Sequence, residues 1–468
     1  MTETRELYEN VIKGNYCIGC GACASIKNSP FKIKMDEYGN IVAYPAGDLD
    51  SNETPVLEIC PFSGKSKNED QLSDIIFESV KNKDPRIGKY IKCFAGFVND
   101  EQFRSKGSSG GVGKWLGYTL LNENKIDYLV QVAANQSKDP SKPLFDYTIL
   151  SNKDQVLQGS KSSYYPVSLA DILDRIKSLN GSFAITGVPC FIKTIRLLTL
   201  KDDDLKSKIK YTIGIICGGM KSANQSKIIA WQLGVEPDNL VKIDFRRKHE
   251  DKPASYKIYQ VWSDKDNVER YKDSYDIFGT GWSGYFSPNA CNFCDDVVSE
   301  TADISIGDAW LDKYIDDSKG TTIMVVRNPE ILEIINKNIE NRALILDEVT
   351  AEDVAESQAG GLRQRREALS YRISKKEGKN EWYPEKRVKA GDYNISNKRK
   401  KIYSLREKIA EQSHISAYKA LHNNELNIFL KEMKPLAGKY RVEIYGSFPR
   451  RIYRKIKGYI LKLLMQNK

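Results

Sequence analysis

Apolar and polar residues alternate through FKIKMDEYGNIVAYP, residues 31–45, on either side of a YGN turn, and that period of two predicts a β-hairpin. A different pattern appears in GSFAITGVPCFIKTIRLLTL. Its unbroken apolar run Phe183–Thr186 predicts a buried strand, followed by a turn over Gly187–Pro189 and a helix carrying Ile192, Ile195 and Leu198 on one face. KYTIGIICGGMKS predicts a second strand ending at Cys217 and a helix from about Ser222. Strand, helix and strand at this length make a βαβ unit whose two strands run parallel. ADISIGDAW adds a strand around Ile304–Ile306. After SKGSSGG, residues Val112, Trp115, Leu116, Thr119 and Leu120 fall on one helical face.

The C-terminal part has its own pattern. KKEGKNEWYPEKRVKAGDYNISNKRKK reads as a charged, turn-rich linker or surface, and SLREKIAEQSHISAYKALHNNELNIFLKEM as one or two helices. In FPRRIYRKIKGYILKLLMQNK, an apolar stripe of Ile452, Ile456, Tyr459, Ile460, Leu463 and Leu464 is flanked by Arg450, Arg451, Arg454, Lys455, Lys457 and Lys462. A basic amphipathic helix of this kind either lies on an anionic membrane surface or docks on its own core with a solvated basic face.

Length and charge bound the picture. At 468 residues the chain is long enough for about three units. Apolar residues make up 40% and charged residues 29%, as in a globular protein. There is no apolar run of about 18 residues and no N-terminal apolar block, which places the protein in the cytoplasm, with peripheral contact at the inner membrane face as the one further expectation. Residues from Arg363 onward hold 28 Lys/Arg against 10 Asp/Glu, and the first 362 residues hold 44 against 52. No nucleic-acid fold motif accompanies the basic part, so nucleic acid is not an expected partner.

In a reducing compartment, clustered cysteines are read as metal ligands before disulfides. The chain has nine, at positions 17, 20, 23, 60, 93, 190, 217, 291 and 294, and only three histidines, none near a cysteine motif. CIGCGAC places Cys17, Cys20 and Cys23 on one tight loop, with Gly19 and Gly21 permitting close backbone approach. Three thiolates at this spacing match three corners of an iron–sulfur cube, and Cys60, followed by Pro61, is the natural fourth ligand. Structural zinc is the competitor, although it prefers two separated C-x2-C knuckles. Cys190 and Cys217 each follow a strand of the βαβ unit and emerge on one sheet edge, where open α/β sheets bind ligands. With Cys291 and Cys294 they make a complete set of four, for zinc or an iron–sulfur cluster; the alternative is plain core cysteines. Cys93 is left over and is expected to pack in a strand.

Other chemistry is sparse. GSSGG, with Ser108, Ser109, Gly110 and Gly111 before a helix, is either an anion or cofactor seat or only a helix cap. It is no P-loop, no strand-borne G-x-G-x-x-G occurs, and no Ser/His/Asp triad is apparent, so no catalytic residue is assigned. Asp295 and Asp296 are expected to be solvated or capping groups.

CIGCGACA, CP, GSSGG, GSKSSYYP, ITGVPC, IGIICGG, CNFC and ADISIGDAW occur in this order, and over residues 15–360 the chain resembles the beta subunits of deazaflavin-coenzyme hydrogenases and dehydrogenases, whose relatives include chlorophyll-pathway vinyl reductases and a hydroxymethyl-chlorophyll reductase. The resemblance implies a flavoprotein holding FAD beside two 4Fe–4S clusters. Cys17, Cys20, Cys23 and Cys60 would bind the ferredoxin-type cluster, and Cys190, Cys217, Cys291 and Cys294 the second. Ser108, Ser109, Gly110, Gly111, Lys161, Thr186 and Asp308 would line the flavin pocket. The chain departs from many relatives in ICGGM, where they carry a polar or aromatic residue between Cys and Gly.

The expected fold is α+β or α/β. A small ferredoxin-like module (1–75) precedes a mixed α/β flavin and cluster domain (76–365) and a basic linker with a helical tail (366–468). The expected activity is an oxidoreductase that passes electrons between a ferredoxin-like donor, the clusters, FAD and an organic substrate or the deazaflavin coenzyme, because a flavin converts single electrons into two-electron chemistry. The rivals are an electron-transfer adaptor without its own substrate and a zinc-stapled scaffold.

Overall fold

The computed structural model describes residues 1–159, 161–266 and 268–446. The basic amphipathic stripe expected over residues 452–464 lies outside them.

The expected hairpin is present as β1 (Phe31–Met35) and β2 (Ile41–Pro45), paired antiparallel around Gly39, whose φ of 75° suits glycine. The main body is a mixed α/β structure around an eight-stranded sheet. Its strands are β3 (Lys92–Val98), β4 (Tyr128–Ala134), β5 (Phe145–Leu150), β6 (Phe183–Gly187), β7 (Ile209–Ile215), β11 (Ile304–Asp308), β12 (Thr322–Val326) and β13 (Leu344–Val349). They lie in the order β13-β3-β12-β11-β7-β6-β4-β5. Four consecutive strands, β11, β7, β6 and β4, run parallel, and the pairings outside them, three strands on one side and one on the other, are antiparallel. The parallel strands bury Leu129, Val130, Phe183, Ala184, Ile185, Tyr211, Ile213 and Ile304 almost completely. A separate antiparallel sheet joins β8 (Leu240–Lys248), β9 (Lys257–Ser263) and β10 (Glu269–Asp273).

The βαβ expectation holds in detail. Helix α2 (Pro189–Thr199) starts with proline at its first turn, where the missing N–H costs nothing, and buries Ile192, Ile195 and Leu198. Helix α3 (Ala223–Gln232) follows β7 after Ser222. Helix α1 (Val112–Asn122) buries all five residues of its expected face. Cys93 sits in β3 at 2% exposure, packed as expected.

Beyond residue 366, α4 (Glu367–Glu377) contributes Leu369 and Ile373 to the apolar core that also contains Leu7, Val11, Phe31 and Phe191. Helices α5 (Asn397–His422) and α6 (Leu426–Tyr445) pack through Ile409, Ala417, Phe429 and Met433 onto Ile228 and Phe286. The stretch between α4 and α5 departs from the linker expected there, because Lys386 in it is buried and Arg387 is paired with Glu300. Among the described residues no helix is long and apolar enough to cross a membrane.

Candidate functional site

The first cysteine loop is shaped by two glycines that admit no side chain. A Cβ at Gly19 (φ 72°) would lie 2.3 Å from the Ile41 carbonyl oxygen, and one at Gly21 (φ 89°) 2.5 Å from Ser168 Oγ. The loop is thereby pressed against the hairpin on one side and the approach to residue 170 on the other. Cys17, Cys20, Cys23 and Cys60 line one cavity, walled by Leu7, Val11 and Phe62. Cys17 Sγ accepts the Ala43 N–H at 3.3 Å. Burial pushes the Cys17 thiol up to about 11, and burial followed by the charges of Cys17, Cys20 and Cys60 raises Cys23 well above the ordinary thiol range.

The second set converges from three places in the chain. Cys190 stands in the first turn of α2, Cys217 follows β7, and Cys291 and Cys294 lie in and just after the short turn Asn289–Phe293 that leads to β11. Parallel β6 and β7 bring Cys190 and Cys217 to one sheet edge, and the Val297 carbonyl, which accepts the Cys217 N–H at 2.9 Å, ties the segment after Cys294 to that edge before the chain runs back to start β11. Gly219 N–H points at Cys217 Sγ (3.3 Å) and Met220 N–H at Cys291 Sγ (3.4 Å). The Cys190 thiol is raised by burial, then by Cys294, Cys217 and Cys291, and finally by Cys20 of the first set. The two sets are neighbours.

Arg365 adds a charge to the second set that the sequence did not signal. It is buried, its Nη1 donates to the Cys291 carbonyl at 2.9 Å, and its Nε has no partner among the described residues. Burial opposes its charge, but Cys294, Cys291, Cys217 and Cys190 outweigh that and hold its pKa above the ordinary value. Among the described residues no group of three or more His, Cys, Asp or Glu is placed to hold a metal ion. All nine cysteines are free. Thiols in two sets of four, backbone N–H groups aimed at three sulfurs, and an unsatisfied guanidinium N–H suit iron–sulfur clusters, whose sulfurs accept such hydrogen bonds.

Asp295 and Asp296 are not solvated as expected: they are 1% and 2% exposed. Arg387 explains why. Its guanidinium donates to Glu300 at 2.7 and 2.8 Å and to Asp295 at 3.3 Å, and Lys193 pairs with Glu69 at 3.2 Å beside it. Burial would raise the Asp295 carboxyl, yet Arg387 and Lys386 hold it below the usual range; Asp296 is pushed up by burial, Glu300 and Glu69. Asp296 accepts the Glu300 N–H at 2.9 Å within an irregular turn, so neither carboxylate caps a helix. Lys386 Nζ donates to the Pro61 carbonyl at 2.9 Å, next to Cys60.

The candidate flavin residues meet around a residue that the sequence reading missed. Arg246, on β8, forms a buried pair with Asp308 at the end of β11 (2.9 Å), and also donates to the Ser108 carbonyl (2.9 Å) and to the Tyr164 hydroxyl (3.2 Å). Ser108 Oγ accepts the Ser162 N–H at 2.7 Å, and Lys161 pairs with Asp244 at 3.2 Å. Neither serine of GSSGG caps α1. Ser109 Oγ donates to the Thr321 carbonyl at 2.7 Å, Gly110 N–H to Thr322 Oγ1 at 3.0 Å, and Gly111 (φ 87°) starts the helix without a side-chain cap. Thr186 bonds elsewhere: its Oγ1 donates to the Val130 carbonyl at 3.3 Å and its carbonyl accepts from Tyr147. Alternation in KIDFRRK, with Ile243 and Phe245 inward, was the available signal that Asp244 and Arg246 share a face.

The departure at ICGGM has a structural reason. A Cβ at Gly218 would lie 2.5 Å from the Trp282 ring, so the indole fills the space a side chain would need next to Cys217.

The carboxyl-terminal edge of β6 and β7 gathers the second thiol set, and the first set packs beside it. Comparison with known proteins is specific. Residues 93–174 match the N-terminal part, and residues 181–352 the C-terminal part, of the family described as coenzyme F420 hydrogenase/dehydrogenase, beta subunit. Together the matches span more than half of the chain, which belongs to this family of redox subunits. An uncharacterized protein of Methanocaldococcus jannaschii is 25% identical over 351 residues, covering 70% of this chain and 88% of its own. A chain of the F420-reducing NiFe hydrogenase complex from Methanosarcina barkeri aligns with a TM-score of 0.48 and 18% identity, over 64% of this chain and 98% of that one. A likeness at that level carries no argument.

Proposed function

We propose that the protein is an iron–sulfur flavoprotein oxidoreductase that passes electrons between a ferredoxin-like donor, two 4Fe–4S clusters, FAD and a small organic substrate, with the deazaflavin coenzyme of the family name as one acceptor of that class. The observation that carries this reading is the adjacency of the two thiol sets, with Cys20 acting on Cys190. Clusters held by these two sets would supply single-electron exchange, and a bound flavin would supply the conversion to two-electron chemistry. Cys17, Cys20, Cys23 and Cys60 would hold one cluster, and Cys190, Cys217, Cys291 and Cys294 the other. Ser108, Ser109, Gly110, Gly111, Lys161 and Asp308, ordered by Arg246, would seat the flavin, and Thr186 would border it from β6.

The chain's own residues prepare this chemistry. The N–H groups at Cys17, Cys217 and Cys291 stabilise sulfur in its anionic form, and Arg365 offsets the negative charge of the second cluster. The apolar walls of the first set exclude water. Purification without oxygen, with iron, sulfide and flavin counted, tests the reading. About eight iron, about eight sulfide and one FAD per chain are expected. Zinc without sulfide, or no flavin, overturns it.

A further inference from the structure

We propose that Tyr164 is the proton donor of this site, working beside Lys257 in the two-electron reduction of a polarised double bond. The inference rests on the flavin reading above and deepens it. Tyr164 lies in the GSKSSYYP segment that meets the GSSGG loop, and its hydroxyl oxygen accepts from Arg246 Nη1 at 3.2 Å. The hydroxyl proton itself has no acceptor among the described residues. Arg246 is already bound by both oxygens of Asp308, so the ion pair does not consume that proton.

Lys257 is the second part of the argument. Its ammonium group lies 5.9 Å from the Tyr164 ring centroid, 5.6 Å from that of Trp282 and 5.9 Å from that of Trp310. It makes no ion pair and no hydrogen bond among the described residues. Three aromatic faces hold a cation that makes no direct ion pair and whose electrostatic partner, Asp308, is already bound by Arg246, which suits a position where negative charge develops during reaction. The phenolate left after proton transfer is such a charge.

The charged and titratable groups that face Tyr164 are Lys257 and Tyr259 on β9, Arg246 on β8 and Asp308 on β11. Burial pushes the phenol up, Lys257 and Arg246 pull it down, Asp308 opposes them, and the phenol rests below its ordinary value. Phe245 and Trp282 pack edge-on against the ring, with centroids at 5.5 and 5.8 Å.

The step balances as follows. The π bond of the acceptor breaks. One of its atoms would take the hydride equivalent, two electrons and a proton, supplied by a bound reduced flavin, which would be oxidised. The other atom takes the proton from Tyr164 Oη, leaving a tyrosinate between Lys257 and Arg246 that regains a proton from water.

Two measurements test this. Difference titration of tyrosinate absorbance between the wild type and Tyr164→Phe should reveal a phenol ionising below the ordinary tyrosine value of about 10. Lys257→Met should move that ionisation upward, and it keeps the phenol in place should Tyr164→Phe fold poorly. Second, chemically reduced protein is reoxidised by duroquinone, which takes electrons and protons, and by ferricyanide, which takes electrons alone. In Tyr164→Phe the ratio of the duroquinone rate to the ferricyanide rate should fall by about 100-fold, the usual scale of a lost general acid. A phenol titrating at or above its ordinary value, or an unchanged ratio, overturns the proposal while the flavin reading stands. A preparation without flavin overturns both.

Discussion

The two thiol sets reach the same composition by opposite routes. In the first, three cysteines share one loop and only Cys60 comes from elsewhere, so the site is written in the local sequence. In the second, the ligands span residues 190–294 and meet because parallel β6 and β7 deliver Cys190 and Cys217 to one edge while the segment before β11 folds back to it. A local site depends on its loop, whereas a topological site depends on the whole sheet. Their surroundings differ too: Arg365 acts on all four thiols of the second set, and the first is walled chiefly by apolar side chains.

Cysteine replacement gives the largest expected effect. Cys190→Ser should remove about half of the iron and sulfide, and spectroscopy should show only the first cluster remaining. Loss of both would mean that the first set is not an independent unit. The next effect concerns what joins the regions. Arg387 holds Glu300 and Asp295 beside the second set and lies within 3.6 Å of Glu69. Removing one partner of a buried ionic group leaves charge uncompensated, so Arg387→Met should cost about 3–5 kcal/mol in denaturant unfolding. A cost near that of a surface pair, about 1 kcal/mol or less, would show that the group is hydrated in solution. The smallest effect is the sharpest. Removing a cation favours the oxidised, less negative cluster, so Arg365→Met should lower the potential of the second cluster by about 60 mV relative to the first, a tenfold change for one electron. Equal movement of both potentials would erase the electrostatic difference between the two sets.

Much of this was legible in the sequence, for definite reasons. The hairpin at 31–45, the helix from Val112 and the strand–helix–strand from Phe183 follow from periodicity, which depends on near neighbours only. The convergence of Cys190 and Cys217 followed from the handed logic of the βαβ unit. Lys257, Arg365, Lys386 and Arg387 were not legible, because a chain with 72 Lys/Arg gives no local mark to those that tertiary packing will draw inward. Lys386 and Arg387 lie in a stretch whose charge and turn residues read as solvated. Their carboxylate and carbonyl partners, at residues 61, 295 and 300, are remote in the chain. Asp295 and Asp296 were misjudged for the same reason, since burial of a carboxylate becomes tolerable only when a distant cation arrives.

Strand β3 has a consequence for biosynthesis. It is the earliest strand of the large sheet, yet both of its neighbours, β12 and β13, are encoded far downstream, from Thr322 onward. At ordinary ribosomal speeds the nascent chain therefore carries an apolar edge without either partner for on the order of ten to fifty seconds. Chaperone occupancy during translation should concentrate on that interval, and shortening it by circular permutation should raise the soluble yield.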